Sequence, residues 1–345
     1  MADIAGTASP SPGDIWYTLS MTTRAHILNL LADGQFHSGT EIGQSLGVSR
    51  AAINKAIKVL QVSGLEIHSV TGKGYKLTSP LVPLSQEKIN QHLKKSHIKP
   101  ASIHLLDEVD STNAYLLNLS QTKTVSRHVC LSESQLQGRG RRGNSWVAPA
   151  YRNILLSVSW QFQLGPADLG GLSLAAGVAV ANALLELGVN GVKLKWPNDI
   201  LLADKKIGGL LIEMQGESTG PCLVVLGIGI NVDMGHVTKN EINQPWTDLK
   251  NETSLSFDRN QLAASLIKHL LQAFADFEQN GFELFKKQWL SLHAYSNRNV
   301  KVIRGDQEYP GKITNIGNNG ALYLLDEKGE EHCFVSGEVS LRSMS

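Results

Sequence analysis

From Leu169 to Leu187 the chain is apolar nearly all round a helical projection, interrupted only by Ser173, Asn182 and Glu186. A helix with no face for water must be enclosed, so the fold needs a core built around it, with Leu172 and Leu174 inside. The flanking patterns belong to strands. Asn153 to Trp160 alternates, with Leu156, Val158 and Trp160 on one face and Ser157 and Ser159 on the other. Val192-Lys-Leu-Lys-Trp196 also alternates, which puts Trp196 on the apolar side. Pro197-Asn198-Asp199 breaks that strand and Ile200 to Leu202 resumes it. Asp204 to Lys206 reads as a turn; Ile207 to Glu213 and Leu223 to Val232 read as paired strands of the same sheet. Upstream, Ser85 to Leu93 is a modest helix and Ile103 to Leu106 a short strand, which Asp110-Ser-Thr-Asn113 ends while opening a helix. Ser111 and Thr112 there either cap the helix or present hydroxyl and N–H groups to a ligand. Downstream, Asp233 to Leu249 is a polar, mobile loop with Trp246 as its one large apolar residue. Asp258 then caps a long amphipathic helix with Leu262, Leu266, Leu270 and Phe274 on its core face, and Asn280-Gly281 stops it. Residues 81–295 thus form a mixed α/β domain.

Two smaller domains flank it. Thr23 to Ala32 carries Ile27, Leu28, Leu30 and Leu31 at helical spacing. Ser38-Gly-Thr-Glu41 is a capping box for a short helix that Gly47 ends. Ser49 caps a third helix, Arg50 to Val62, with Ala52, Ile53, Ala56, Ile57 and Leu60 on one face and Arg50, Asn54, Lys55 and Lys58 on the other. A hairpin, Ile67 to Leu77, turns at Thr71-Gly72-Lys73-Gly74. This order predicts a winged helix-turn-helix over 22–80, its helix-turn-helix at about 39–58. Between 22 and 79 there are six basic and three acidic residues, a local excess that suits phosphate contacts. Ser49, Arg50 and Asn54 are placed to reach base edges, with Lys55, Lys58 and Lys73 on the backbone; protein contact is the alternative use of such a domain. From 296 to 345 five short strands, 300–303, 311–316, 321–325, 333–335 and 339–341, with a turn at Asn318-Asn-Gly320, predict a small barrel. Residues 1–21 read as a disordered tail, with Met21 a candidate later start, and Pro80 and Pro83 as a linker.

Composition sets limits. A 345-residue chain with 42% hydrophobic residues holds two or three domains with sizeable cores. A net charge of +1 makes no global demand for nucleic acid. Cys130, Cys222 and Cys333 lie far apart and show no ligand spacing, which argues against zinc or a disulfide framework. With neither an apolar run of about 18 residues nor a signal-peptide pattern, a cytoplasmic protein without a membrane partner is expected.

The chemistry concentrates in Gln135-Leu-Gln-Gly-Arg-Gly-Arg-Arg-Gly-Asn-Ser-Trp146. Glycines at 138, 140 and 143 allow close approach, and Arg139, Arg141 and Arg142 offer forks that fit carboxylate and phosphate. Alone, this stretch is an anion-binding loop, a solvated turn or an RNA contact. Walker A and nucleophile-elbow patterns do not occur, and Gly227-Ile-Gly229-Ile-Asn231 is half of a dinucleotide fingerprint, whose strand glycines admit a flat ligand. Cationic and hydrogen-bonding groups instead recur at strand ends: Ser111, Thr112, Gln135, Arg139, Arg141, Asn198, Asp199 and Lys206. That suits a reaction in which the protein neutralises developing negative charge and supplies no nucleophile, such as attack of a carboxylate on the α-phosphate of ATP.

Asp110-Ser-Thr-Asn113, Gln135 with Gly138 to Gly143 and Trp146, Lys195-Trp-Pro-Asn-Asp199, Lys206-Ile-Gly-Gly209 and Gly227 to Asn231, in this order, resemble the biotin–protein ligases. The preceding winged helix is similar to that of the bifunctional members that also repress the biotin operon. The resemblance covers about 22–345 and implies an α+β multidomain fold: winged helix, class II synthetase-like ligase domain, and SH3-like C-terminal barrel. It implies that biotin and ATP, with Mg²⁺ held by the phosphates and no dedicated protein ligand, form biotinyl-5′-AMP. Biotin then passes to a lysine of the biotin carboxyl carrier protein of acetyl-CoA carboxylase. Ser111, Thr112, Asn113 and Gln135 match positions that grip the ureido ring, and Gly227 and Gly229 the strand bordering it. Arg139, Gly140 and Arg141 match the loop over the adenylate, and Lys206 the lysine at the reacting carboxyl and phosphate. Asn198 stands beside Asp199, whose motif lies near the incoming lysine; Asn231, Trp246 and Arg342 match nucleotide contacts. Lys206, Arg139 and Asp199 would carry catalysis. Operator DNA and, in the adenylate-bound state, a second copy of the chain are the other implied partners. A non-catalytic biotin-sensing repressor and a lipoate–protein ligase-like enzyme are the alternatives. Trp146 stays open between biotin contact and loop anchor, and Arg142, Lys195 and Lys205 are read as solvated. Asn144 and Ser145 stand where family members often carry a basic residue, which bears on adenylate retention.

Overall fold

The capping box at Ser38 forms as its spacing requires: the Ser38 hydroxyl accepts from Glu41 N–H at 3.1 Å and the Glu41 carboxylate accepts from Ser38 N–H at 3.2 Å. The computed structural model describes residues 23–78, 81–217, 219–235, 237, 241–296, 298–335 and 339–343. The expected tail, Pro80 of the linker, and residues 236 and 238–240 of the polar loop lie outside them. The chain divides into two compact units at Pro83/Leu84.

In the first unit, helix α1 covers 23–31, followed by α2 (Gly39–Leu46), α3 (Arg50–Val62) and the hairpin β1 (Ile67–Val70)–β2 (Gly74–Leu77). Gly47, with φ 65°, closes α2, and the Ser49 hydroxyl accepts from Ala52 N–H to cap α3. Ile27, Leu28, Leu31, Ile42, Ile53, Ile57 and Leu60 are fully buried between the helices. Ala52, expected on the packed face, is exposed, while its neighbour Ile53 is fully buried. Tyr75 of β2 exchanges backbone hydrogen bonds with His37 at 2.8 and 2.9 Å, fastening the wing to the start of α2.

The second unit runs α4 (Gln86–His92), β3 (Ser102–Val109), α5 (Thr112–Ser120), β4 (His128–Gln135), β5 (Ile154–Phe162), α6 (Leu172–Glu186), β6 (Lys193–Lys195), β7 (Asp199–Leu202), β8 (Lys205–Gly216) and β9 (Cys222–Ile230). Helices α7 (Leu249–Glu252), α8 (Arg259–Asn280) and α9 (Glu283–Leu292) follow, then β10 (Asn299–Arg304), β11 (Gln307–Ile316), β12 (Leu322–Leu325), β13 (Glu331–Phe334) and β14 (Val339–Ser343). Strands β3 to β9 make one seven-stranded sheet in the order β3-β4-β5-β9-β8-β7-β6. Its one parallel pair, β3 and β4, needs a crossover, and α5 supplies it.

The all-apolar segment forms α6, starting at Leu172 because a 3-10 turn at Pro166–Leu169 and Gly171 (φ 86°) redirect the chain first. Together with α8 it encloses the core residues of one sheet face, among them Leu156, Val158, Leu226 and Ile228. Trp196, Leu172 and Leu174 are buried as expected. The opposite face, carrying Cys130, Leu223 and Val225, packs on Leu116 of α5. The C-terminal strands form an antiparallel sheet of order β13-β12-β11-β10-β14, and Val300, Val302, Leu322 and Leu324 join the same large core. Their β11–β12 turn receives the Trp196 indole N–H on Gly320 O at 3.0 Å. No helix among the described residues is long and apolar enough to cross a membrane.

Three expectations change. The 204–206 turn is shorter: Ala203 and Asp204 make it, both at left-handed φ (49° and 60°), and Lys205 and Lys206 begin β8. Helices α7 and α9 and strand β4 were not expected, and β3 extends three residues beyond Leu106.

One buried ion pair fastens the sheet to α8. Arg259 holds Glu133 of β4 through two nitrogens, at 2.6 and 3.1 Å, and also donates to Asn153 O at 3.2 Å. Glu133 further accepts from Leu84 N–H at 2.6 Å, where the chain enters α4. With side chains only 7% and 4% exposed, removing one partner strands a buried charge. Arg259→Ala should therefore cost about 3–5 kcal/mol. Urea denaturation checks this, and an unchanged midpoint would show that the pair is dispensable.

Candidate active site

The site stands on the α5 face of the sheet, where glycines of β8 and β9 pair Gly209 with Gly229 and Leu211 with Gly227. Strand glycines leave a bare backbone floor. A Cβ on Gly227 would come 2.6 Å from Asn113 Oδ1, and one on Gly229 would come 2.3 Å from the Trp146 ring. Trp146 therefore lies flat on the floor, its indole N–H buried and without a hydrogen-bond partner. It is fixed there by the loop, so it is both loop anchor and cleft wall.

That loop is a hairpin. Trp146 N–H donates to Gly138 O at 2.8 Å and Gly140 N–H to Asn144 O at 2.7 Å, with the turn at Arg141–Gly143. Arg142 sits at φ 58° and points to solvent. Asn144 is part of the hairpin fabric, its amide donating to Arg141 O at 3.0 Å.

Beneath the hairpin is a cleft lined by Ser111, Thr112, Asn113, Gln135, Arg139, Gly140, Arg141, Asn198, Lys206, Gly227 and Gly229. Ser111 does cap α5, its hydroxyl accepting from Ala114 N–H at 3.4 Å, and it lines the cleft as well. Gln135 Oε1 accepts from the Thr112 N–H at 2.8 Å. An adjoining cleft adds Asp199, Asn231, Trp246 and Arg342 to Gly140, Arg141, Asn198 and Lys206. Every residue expected to hold biotin or nucleotide thus lines one of two contiguous spaces.

Strand register builds the charged centre. Lys195 of β6 pairs with Asp199 of β7, and Asp199 with Gly209 of β8. Lys206 Nζ contacts one Asp199 oxygen at 2.6 Å and Lys195 Nζ the other at 3.2 Å. Burial alone would raise the Asp199 carboxyl, but Lys206 and Lys195 hold it below the usual carboxylate range. Lys195, expected to be solvated, is only 12% exposed for this reason. The Lys206 ammonium also lies 5.5 Å from the centre of the Trp146 ring. Arg141 donates to Asn198 Oδ1 at 3.3 Å, and burial lowers its pKa. Arg139 instead pairs with Glu213 at 3.1 Å.

Trp246 is brought in by a bridge of residues 245–247 to Lys206: Lys206 N–H donates to Pro245 O at 3.1 Å and Thr247 N–H to Lys206 O at 2.9 Å. The Trp246 indole N–H and Asn231 Oδ1 are buried without partners, as is the Trp146 N–H. Buried polar atoms without partners call for a ligand or water, and here all three border the cleft.

In the first unit Arg50, Lys55, Lys58 and Lys73 are exposed. The Ser49 hydroxyl is used in capping, and the Asn54 amide donates to Tyr75 OH at 3.2 Å.

A bare-floored cleft joined to a cationic centre, on a chain that also carries a helix-turn-helix, fits a nucleotide-dependent ligase with a DNA-binding domain. Comparison with known proteins agrees. The models of the HTH domain, the Biotin/lipoate A/B protein ligase family and the Biotin protein ligase C terminal domain match residues 23–76, 105–231 and 295–342. Bifunctional ligase/repressor BirA of Salmonella typhimurium is 41% identical over 92% of this chain and 97% of its own length. The Escherichia coli protein of the same name is 41% identical over 93% and 98%. A solved biotin protein ligase from Aquifex aeolicus, in complex with biotin and ATP, matches with TM-score 0.61 and 29% identity over 71% of this chain and 100% of that one. The chain belongs to the bifunctional ligase/repressor family of biotin protein ligases.

Glu213, Ser157 and Lys195 were not among the expected site residues; Ser157 left a signal as part of the polar face of its strand, and Lys195 as the first residue of the Lys195-Trp-Pro-Asn-Asp199 motif. The glycine floor yields a direct test. Gly229→Ala should displace Trp146 and weaken biotin binding at least tenfold while the protein still folds. Calorimetric titration alongside circular dichroism measures this, and wild-type affinity would contradict the packing.

Proposed function

We propose that this protein condenses biotin with ATP to biotinyl-5′-AMP and pyrophosphate, then transfers the biotinyl group to a lysine of the biotin carboxyl carrier protein of acetyl-CoA carboxylase. One observation supports this reading most: the two clefts share Gly140, Arg141, Asn198 and Lys206. One space is walled by neutral hydrogen-bonding groups over the glycine floor, the other by Trp246, Asn231 and Arg342. Biotin in the first and ATP in the second would bring carboxylate and α-phosphate together at Lys206 and Arg141.

Two anions repel, and fixed positive charge between them lowers the barrier without reorganisation. The biotin carboxylate oxygen attacks the α-phosphorus; the bond to pyrophosphate breaks and the mixed anhydride forms. Asp199 takes no covalent part. It pins Lys206 through a 2.6 Å contact and would lie near the carrier lysine, whose amine attacks the acyl carbon and expels AMP. Arg139 and Gly140, on the hairpin, would cover the adenylate. Both Asp199 oxygens are engaged by lysines, which fits a Mg²⁺ ion that is held by the phosphates and screens their charge.

The retained adenylate would also order the hairpin at 138–146 and the 233–249 segment and favour a dimer through sheet edges. Two winged helices would then meet half-sites of a palindromic biotin operator in the cytoplasm. Carrier protein would compete with the second subunit for one surface.

Lys206→Ala should slow biotin-dependent pyrophosphate exchange by about 10²–10³-fold, the effect of losing one preorganised charge donor. Normal exchange in this variant would remove Lys206 from the mechanism, and no exchange in the unaltered protein would leave a non-catalytic sensor. Dimerisation requires different adenylate affinity for monomer and dimer. Sedimentation should show tighter dimers with biotinyl-5′-AMP; equal constants with and without it would refute the switch.

A further inference from the structure

Glu213, on β8, is absent from the lining of the biotin-side cleft, yet its two carboxylate oxygens hold two side chains that do line it. Asn113 Nδ2 donates to one oxygen at 2.7 Å, and Arg139 Nη2 reaches both, donating to that same oxygen at 3.3 Å and lying 3.1 Å from the other. Asn113 Nδ2 also donates to the Leu211 backbone oxygen at 3.3 Å. A carboxylate and a peptide carbonyl can only accept, so the Asn113 amide has one permitted orientation and both its N–H groups are spent.

The consequence runs along the wall. Asn113 Oδ1 faces Ser157 Oγ at 2.6 Å. An amide oxygen cannot donate, so the single Ser157 proton belongs to that bond. The Thr112 hydroxyl lies 2.7 Å from Ser157 Oγ and 3.1 Å from Gln135 Oε1, and neither has a proton to give it, so the single Thr112 proton is spent on one of the two. Proton direction is thereby set from Ser157 to Asn113 and from Asn113 to Glu213, with the Thr112 proton already committed within the wall. Asn113 and Thr112 are left with lone pairs alone to offer a ligand. Gln135 has the opposite sense: Oε1 is turned to the Thr112 N–H at 2.8 Å, which leaves Nε2 to donate. A wall with two acceptors and a donor matches a cyclic urea, which carries two N–H groups and one carbonyl.

We propose that Glu213 is a positioning residue that sets the hydrogen-bond polarity of the biotin wall and anchors Arg139 at its mouth. The inference rests on reading this cleft as the biotin site. Glu213→Gln is nearly isosteric but can donate as well as accept, so it frees the Asn113 amide to flip and leaves Arg139 without a charged partner. A site built to hydrogen-bond a ligand N–H rejects an analogue lacking it, and that rejection should fade when polarity is no longer imposed.

The test titrates the full chain with biotin and with a cyclic carbamate analogue in which oxygen replaces one ureido N–H. The unaltered protein should bind biotin and discriminate strongly against the carbamate. Glu213→Gln should bind biotin at least tenfold more weakly and lose most of that discrimination, with circular dichroism intact. Glu213→Asp, still acceptor-only, should retain the discrimination. In an Arg139→Ala background Glu213→Gln should still raise the Kd for biotin, which an effect through Arg139 alone would not do. Should Glu213→Gln fail to fold, Glu213→Ala, which removes the carboxylate outright, must lose the discrimination too. Discrimination unchanged in a folded Glu213→Gln or Glu213→Ala protein would overturn the role of Glu213. If the unaltered protein bound no biotin, the site reading itself would fall.

Discussion

Everything at the site depends on two adjacent strands carrying almost no side chains where they cross the centre of the sheet. Gly208 and Gly209 on β8 face Ile230 and Gly229 on β9, and Gly227 faces Leu211. Gly208 turns instead to the core face with Ile230, where a Cβ would fall 2.6 Å from Ile230 Cδ1. On the other face of these strands Leu210, Leu226, Ile228 and Ile230 are buried in the large core. The bare face can exist only if something else covers it, and Asn113 and Trp146 do so at van der Waals range. Placing Trp146 there brings its hairpin across the sheet, and with it Arg139 and Arg141. The same strand delivers Lys206 at its start, and register with β7 and β6 brings Asp199 and Lys195 alongside. Backbone pairing thus sets the catalytic geometry before any side-chain preference acts.

Two ion clusters in this unit have opposite logic. Glu133 and Arg259 form a closed pair: the carboxylate accepts from two guanidinium nitrogens and one backbone N–H, and neither side chain reaches solvent appreciably. Burying that pair costs desolvation that its contacts roughly offset, which is the signature of a structural tie. Asp199 faces two ammonium groups with Arg141 nearby, so its cluster carries excess positive charge. The orphaned Trp146, Trp246 and Asn231 atoms lie around it. A cluster unbalanced in charge and short of hydrogen-bond partners is incomplete without its ligands, and an anionic carboxylate and phosphate are what would complete it.

How much of this is legible in the sequence depends on the range over which each feature is encoded. The winged helix is local: the Ser38–Glu41 box, the Gly47 stop and the Ser49 cap each act within about one helical turn, and all are visible in order. The long helix α8 and the C-terminal strands are legible for the same reason. Helix α9 is not, because Phe285 and Trp289 are its only buried side chains and two anchors do not make a pattern. Lys206 looked like part of a polar turn because Asp204-Lys-Lys is polar throughout. Only the positive φ of Ala203 and Asp204 shows the chain has already turned.

Two of the site residues that the sequence did not reveal, Ser157 and Glu213, have partners distant in sequence. Ser157 meets Asn113 across 44 positions, and Glu213 meets Asn113 across 100. Lys195 fails differently. Its partner is only four residues on, but an alternating strand places it on the outward side, and nothing local reveals that Pro197 and Asn198 fold β7 back against it. Residues that touch a ligand are constrained by the ligand's chemistry, so their types betray them in a motif. Residues that orient those side chains answer to the fold alone, and an acid or a serine on a strand face has the same local appearance whether it points to water or fixes the polarity of a binding wall.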